Sequence, residues 1–156
     1  MSLSPRFLFI VLGCASAVVA HCCAQEKTIS RNDLPAAVRK TADEQAKGAS
    51  VKGYSKDMGS GQLEYEVEMV IGGHSRDVTI APDGRVVEIE EEVGLESLAP
   101  RVRSELVARA GKGRIVKVET ITKKDVIVAY EAQVLTAGRH SEVQVGPDGS
   151  PLEHQQ

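Results

Sequence analysis

Twice along this chain, in the same order, the spacing of apolar residues changes from that of a helix to that of a strand. Leu34, Ala37, Val38, Ala42 and Ala46 recur at helical intervals opposite Arg39, Lys40, Asp43, Glu44 and Lys47, which predicts a helix with one narrow buried stripe. Asn32 or Asp33 can cap it, Pro35 suits its first turn, where a missing N–H costs nothing, and Gly48 stops it. The period then falls to two: Leu63, Tyr65, Val67, Met69 and Ile71 alternate with Gln62, Glu64, Glu66, Glu68 and Val70, the pattern of a strand with one buried and one wet face. Further strands are predicted over residues 50–56, 76–81 and 85–91, with Ala81-Pro82-Asp83-Gly84 as a turn in which Pro presets a negative φ and Gly accepts a positive one.

The second pass copies the first. Ser97 caps, Pro100 lies in the first turn, Leu98, Val102, Leu106 and Ala110 form the stripe, and Gly111 ends the helix. Strands follow over 114–121, through Val128, Tyr130, Ala132 and Val134, and over 141–146, before Gly146-Pro147-Asp148-Gly149. Tyr65-Glu66-Val67, Val78, Pro82-Asp83-Gly84 and Glu88 return as Tyr130-Glu131-Ala132, Val143, Pro147-Asp148-Gly149 and Glu153, all at an offset of 65. Upstream the offset is 64, pairing Leu34, Val38, Arg39 and Ala46 with Leu98, Val102, Arg103 and Ala110. The expectation is an α+β fold of two tandem repeats, residues 31–93 and 94–156. Each would be one helix followed by a three- to four-stranded antiparallel sheet packed on it. A unit this small buries only about 60% of its unfolded surface, so the two should pack together across a short joint at Gly94. How the two sheets would lie relative to each other stays open.

The first 24 residues read differently. Arg6 precedes an apolar run from Phe7 to Ala20 followed by small residues, the layout of a secretory signal cleaved after Ala24, or as second choice after Ala20. Residues 25–30 are polar and read as a loose lead-in. Cys14, Cys22 and Cys23 all lie in or beside the signal, so a chain cleaved after Ala24 has no thiol, disulfide or Cys-ligated metal. A rival is that Val11-Leu12-Gly13-Cys14 serves as a lipoprotein box with Cys14 lipidated, the one route by which membrane attachment is expected. The sequence thus points to a secreted or periplasmic protein.

Charge narrows the partners. The formal net charge is −3, and loss of Arg6 with the signal makes it −4, from 18 basic and 22 acidic residues. Nucleic acid needs a concentrated basic face; the basic pair Lys123-Lys124 reads as a solvated hairpin turn. With no Trp, there is no stacking platform for single strands or sugars.

A Tyr-x-Val strand, a second alternating strand and a closing Asp-Gly carry a family resemblance. Tyr65-Glu66-Val67, Val78, Ile80, Asp83-Gly84 and Val87, then Tyr130-Glu131-Ala132, Val143, Val145, Asp148-Gly149 and Leu152 resemble the PepSY repeat of secreted bacterial proteins. The nearer likeness is to its β-lactamase-inhibitor-like, PepSY-like branch. Ala132 in place of Val and Pro151 before the last apolar residue depart from the pattern, both at the edge of the second copy. The resemblance implies a secreted or periplasmic module that restrains peptidases and has no agreed catalytic residues. The β-lactamase inhibitory protein, with its concave sheet around a loop of its enzyme, is an architectural analogue.

Candidate chemistry is sparse. His74 and His140 sit at nearly equivalent places and could ligate a metal, but two ligands from distant repeats without a third make exposed turn residues the plainer reading. Glu88, Glu90 and Glu92 fall on one side of a strand as an acidic ridge rather than a calcium cage. They read either as a charged edge or face that discourages sheet association or as a rim that steers a basic partner. Asp83 and Asp148 are explained by their turns, and Tyr65 and Tyr130 by core packing. Ser75 and Ser141 adjoin histidines in sequence, but neighbouring strand residues face opposite ways and cannot share a proton. No cofactor fingerprint is present. The expected function is a non-enzymatic protein-binding module acting on an envelope or secreted protein such as a peptidase. Its contacts would come from Glu88, Glu90, Glu92, Gly59, Gly61, Lys123 and Lys124. The alternative is an envelope small-molecule or metal-ion sensor or carrier.

Mass spectrometry of the mature N-terminus tests the export reading. Cleavage after Ala24 leaves Gln25 first, whereas a diacylglyceryl group on Cys14 refutes the soluble form.

Overall fold

Among the described residues, two α-helices pack on one face of a single eight-stranded antiparallel sheet. The computed structural model describes residues 26–58, 61–152 and 154–156. The signal, its cleavage site, Cys14, Gly59 and Glu153 lie outside the described residues. Strands β1 (Lys27–Ile29), β2 (Ser50–Asp57), β3 (Glu64–Ile71), β4 (His74–Ile80), β5 (Val86–Glu92), β6 (Arg114–Lys123), β7 (Val126–Thr136) and β8 (Arg139–Val145) lie side by side in chain order. Helix α1 (Ala36–Gln45) falls between β1 and β2, and α2 (Pro100–Ala110) between β5 and β6.

This overturns the expected pair of tandem helix-plus-sheet repeats. The fold is dominated by one sheet, because β5 pairs with β6: Ile89 stands opposite Thr122, Glu90 opposite Ile121, Glu91 opposite Thr120 and Glu92 opposite Glu119. The Val93 N–H extends the join by donating to Val118 O at 2.9 Å. Two separate small sheets would each expose a long unpaired edge at this point, and pairing satisfies those backbone groups.

Each helix buries most of its stripe, Ala37 excepted, which is exposed. Leu34, Val38 and Ala42 pack on Tyr65, Val67, Met69, Val78 and Ile80, while Leu98, Val102 and Leu106 pack on Val118, Ala132 and Val145. The same cross-strand pairs recur in both halves, Val67 opposite Val78 and Ala132 opposite Val143.

Several local expectations change. Residues 27–29 are not a loose lead-in but an edge strand, with Thr28 opposite Ser55 and Ile29 opposite Tyr54 and packed against the first core. Asn32 and Asp33 belong to a 3-10 turn, where the Asp33 carboxylate accepts from the Ser30 N–H and hydroxyl; Pro35 itself precedes the first residue of α1. Ser97 likewise ends a 3-10 turn, its hydroxyl donating to Gly94 O, and Ala99 precedes Pro100 at the start of α2.

The two Pro-Asp-Gly turns do more than reverse the chain. Gly84 and Gly149 have φ of +88° and +76°, and a Cβ at either would come within 2.9 Å of Ala37 O or 3.0 Å of the Arg101 carbonyl. Each turn therefore tucks its glycine under the first turn of a helix, and Thr41 clamps the first by donating to Gly84 O at 2.6 Å.

Alanine at Gly84 or Gly149 meets both a left-handed φ and a backbone contact, so each substitution is expected to destabilise the fold by more than about 1 kcal/mol. Gly72→Ala supplies the comparison, since Gly72 has φ +61° with nothing within 4 Å of the added carbon. Thermal unfolding of the three variants separates the effects, and equal losses in all three refute the packing role.

Candidate functional site

With both helices on one side, the other side of the sheet is left mainly to polar residues, with Ile121 and Ala129 buried among them. Strand alternation sends Glu64, Glu66 and Glu68 away from the Tyr65–Val67–Met69 core, and the pairing extends that set across the sheet. Glu66 lies opposite Thr79 and Thr79 opposite Glu88; Glu68 lies opposite Asp77 and Asp77 opposite Glu90. A neighbouring row runs from Glu92 through Glu119 and Glu131 to Gln144. Like charges directly opposite one another destabilise a sheet, yet here they are stacked strand after strand.

Burial and a cavity on this uncovered side imply a concave face. Glu119 is 1% exposed, Ser55 3%, Glu131 7% and Gln144 8%, although both helices pack on the opposite face, so the coil of the sheet and the side chains of neighbouring strands bury them. Residues 154–156 lie over one end, where the Gln156 N–H donates to Gln144 Oε1 at 2.8 Å. A cavity of about 220 Å³ opens on the same side, lined by Asp57, Glu64, Glu66, Asp77, Glu88 and Glu90 with Ser55 and Thr79.

Burial sets the electrostatics. Glu90 is pushed up to about 8, first by desolvation and then by Glu119, Glu88, Glu131 and Asp77. Its cross-strand neighbour Ile121 is 1% exposed and keeps water from one side. Glu66 rises to about 7, again through desolvation first and then Asp77 and other acids. Desolvation also raises Glu64, Asp77 and Glu131; for Glu131 it outweighs the bond donated by Gln144 Nε2 at 2.7 Å.

Two lysines answer part of the charge. Lys117 Nζ stands 2.6 Å from Glu119 Oε1, and Gln133 Nε2 donates to Glu119 Oε2 at 3.3 Å. Burial pulls the Lys117 pKa down, but Glu119, Asp77 and Glu92 more than offset it and the net shift is upward. Lys123 Nζ lies 3.0 Å from Glu88 Oε2. The acid atoms of Asp77, Glu90 and Glu119 converge to within 4.8 Å of one another, and the Lys117 ammonium is the cation already seated beside them.

The residues singled out in the sequence are redistributed. Glu88, Glu90 and Glu92 are no edge: β5 is paired on both sides, and the expected ridge is part of the floor of the concave face. Glu92 accepts the Ser75 N–H at 2.9 Å, which holds its carboxylate below the usual range. Lys123 is not a turn residue but the last of β6, folded onto Glu88. Lys124 does sit in the turn, with Asp125, at φ +51° and +61°. Gly61, at φ +79°, closes the β2–β3 connection beside Asp57 and Glu64, and its N–H donates to Met58 O. His74 is the first residue of β4 and His140 the second of β8, four strand spacings or roughly 19 Å apart along the sheet. His74 Nδ1 approaches Glu92 Oε1 at 4.0 Å. Asp83 and Asp148 accept the backbone N–H groups of Arg85 and Ser150 inside their turns.

Sequence reasoning passed over Glu66, Asp77, Glu119 and Glu131. Alternation marked Glu66 and Glu131 as off the core, but only the register across β3 to β7 shows that the four share one face.

Comparison with solved structures places the fold. The chain is similar to a presumed periplasmic protein of Bacteroides eggerthii, at 18% identity and TM-score 0.64 over 78% of this chain and 88% of that one. It is similar also to a DUF2874 family protein of Bacteroides ovatus, at 19% identity and TM-score 0.61 over 77% and 85%. A BLIP-like protein of Bacteroides fragilis matches at 14% identity and TM-score 0.55 over 78% and 85%. The chain shares the fold of these Bacteroides proteins, one of them BLIP-like. No family model and no curated protein matches it.

The raised carboxyls dictate a pH trend. Glu90 and Glu66 hold protons in the folded protein between an ordinary value of 4.5 and about 8 or 7, a range in which the unfolded chain has lost them. Stability therefore falls as pH rises through that window. The depressed acids Asp33, Asp43, Glu92 and Asp148 act in the opposite sense, but only toward or below their ordinary values of 3.8 to 4.5. Thermal unfolding from about pH 8.5 down to about 5.5 should show Tm rising by about 2–4 °C per kcal/mol regained, with the slope reduced in Glu90→Gln. A Tm that falls on this descent contradicts the buried-acid account.

Proposed function

We propose that this chain is a non-enzymatic binding protein of the bacterial envelope, PepSY-like in family, that holds a cationic segment of a partner protein against its concave face. The single observation that carries this reading is the stacked acidic face itself. A sheet that sets Glu68, Asp77 and Glu90 in one row and Glu92, Glu119 and Glu131 in the next carries repulsion that a lysine- or arginine-bearing loop relieves. Envelope location is supported by the signal-like residues 1–24 and by the periplasmic description of the Bacteroides eggerthii neighbour. Peptidase restraint is the form of action that the family resemblance favours, and the concave shape suits embracing a protruding loop.

The sensor or carrier alternative ranks below it. The two histidines that motivated metal binding are far apart, and an internal ammonium sits beside the tight group of acids formed by Asp77, Glu90 and Glu119.

Pull-down from an envelope extract, followed by assay of native proteases, tests the reading. Capture is expected to weaken with added salt, and Glu66→Gln with Asp77→Asn is expected to lower affinity tenfold or more, about 1.4 kcal/mol. Capture that survives high salt and both substitutions removes the acidic face as the binding surface, and unaltered protease activity with the captured partner present removes the inhibitory role.

A further inference from the structure

Three strands bring three carboxylates to one point. Asp77 from β4, Glu90 from β5 and Glu119 from β6 place acid atoms all within 4.8 Å of one another, at the edge of the 220 Å³ cavity that Asp77 and Glu90 line. Their positions are dictated by register: Asp77 is directly opposite Glu90, and Glu92, one face-position along β5, is opposite Glu119. Each neighbouring element adds to the same side. β3 contributes Glu66 and Glu68, β5 adds Glu88 and Glu92, β7 adds Glu131 and β8 adds Glu142.

Compensation reaches only some of these acids. Glu119 has Lys117 and Gln133, Glu131 has Gln144, Glu92 has the Ser75 N–H and Glu88 has Lys123. Among the described residues, neither Asp77 nor Glu90 receives a hydrogen bond or a close ion pair. Carboxylates this close, partly shielded from water and served by one ammonium, cannot all stay ionised; when two share such a site, one keeps its proton.

We propose that the Asp77–Glu90–Glu119 cluster couples protons to binding: it holds a proton at neutral pH while the concave face is empty, and releases it when a lysine or arginine side chain enters. The proton leaves a carboxyl O–H for solvent and the carboxylate left behind pairs with the incoming cation, so charge and atoms balance without a further reactant. The coupling rests on the binding face argued under Proposed function, whereas the proton-holding cluster stands without a partner. Its consequence is directional: affinity for a cationic segment rises with pH across the neutral range, and acidification releases the partner.

Carboxyl-detected NMR of the mature chain tests the cluster. The Glu90 carboxyl is expected to titrate near or above neutral pH. Glu119→Gln, which removes a negative neighbour, should lower the midpoint by about one unit, and Lys117→Met, which removes the ammonium, should raise it by a similar amount. A group displaced by desolvation alone moves in neither variant. A Glu90 midpoint in the ordinary carboxylate range overturns the proposal, as does one that both variants leave in place.

Calorimetry with hexalysine, in two buffers of different ionisation enthalpy near pH 7, tests the coupling. Binding with release of about one proton supports it, and binding without release overturns it. If hexalysine does not bind, the cationic-partner reading and the coupling fall together, while a high Glu90 midpoint still supports the proton-holding cluster.

Discussion

Four residue pairs between β5 and β6, from Ile89–Thr122 to Glu92–Glu119, hold the architecture together. They convert two helix-backed halves into one sheet, satisfy the backbone groups that two inner edges would otherwise expose, and give both helices the same side. The meeting of the two acidic halves on the opposite face depends on that join. Without it Glu90 would not meet Glu119, and Lys117 would have no carboxylate on β5 within reach of its charge.

The two faces of the sheet are stabilised by different physics. On the helix side, Val38, Val78, Leu106 and Val145 are completely buried, and the Pro-Asp-Gly turns bring Gly84 and Gly149 hard against the helix backbones. On the concave side, acids face acids, and the stability lost to that repulsion is offset only in part by Lys117 and Lys123. A surface set against itself in this way is better suited to meeting something cationic than to standing alone. The elevated pKa values of Glu66 and Glu90 are the folded chain's own partial remedy, since a protonated carboxyl escapes the repulsion.

Much of this was legible in the residue pattern and some was not. The helix stripes, the buried register of Tyr65, Val67 and Met69, and the glycine-closed turns all follow from local spacing, and the structure shows them where the spacing puts them. The acidic residues of β5 were visible as a set, yet the sequence left open whether they lie on an edge or a face. A strand's alternation states which side a residue faces, not which strand lies beside it. Glu88, Glu90 and Glu92 therefore read as a ridge on an edge or a face, and pairing on both flanks makes it a half-buried face. Residues 27–29 were missed for a related reason, since three polar-flanked positions carry no periodic signal and become a strand only because β2 has a free edge to offer.

Local order was thus written in the sequence: where each helix and most strands run, which face is apolar, and that one pattern is used twice at an offset of 65. Those properties arise from contacts close along the chain, where backbone period and side-chain polarity suffice. Whether the two stretches stand apart or share a sheet, and hence whether Asp77, Glu90 and Glu119 ever come together, was decided only by tertiary structure. Hydrogen bonding between β5 and β6 joins residues 27 to 33 positions apart, and backbone amides carry no sequence label that names their partner.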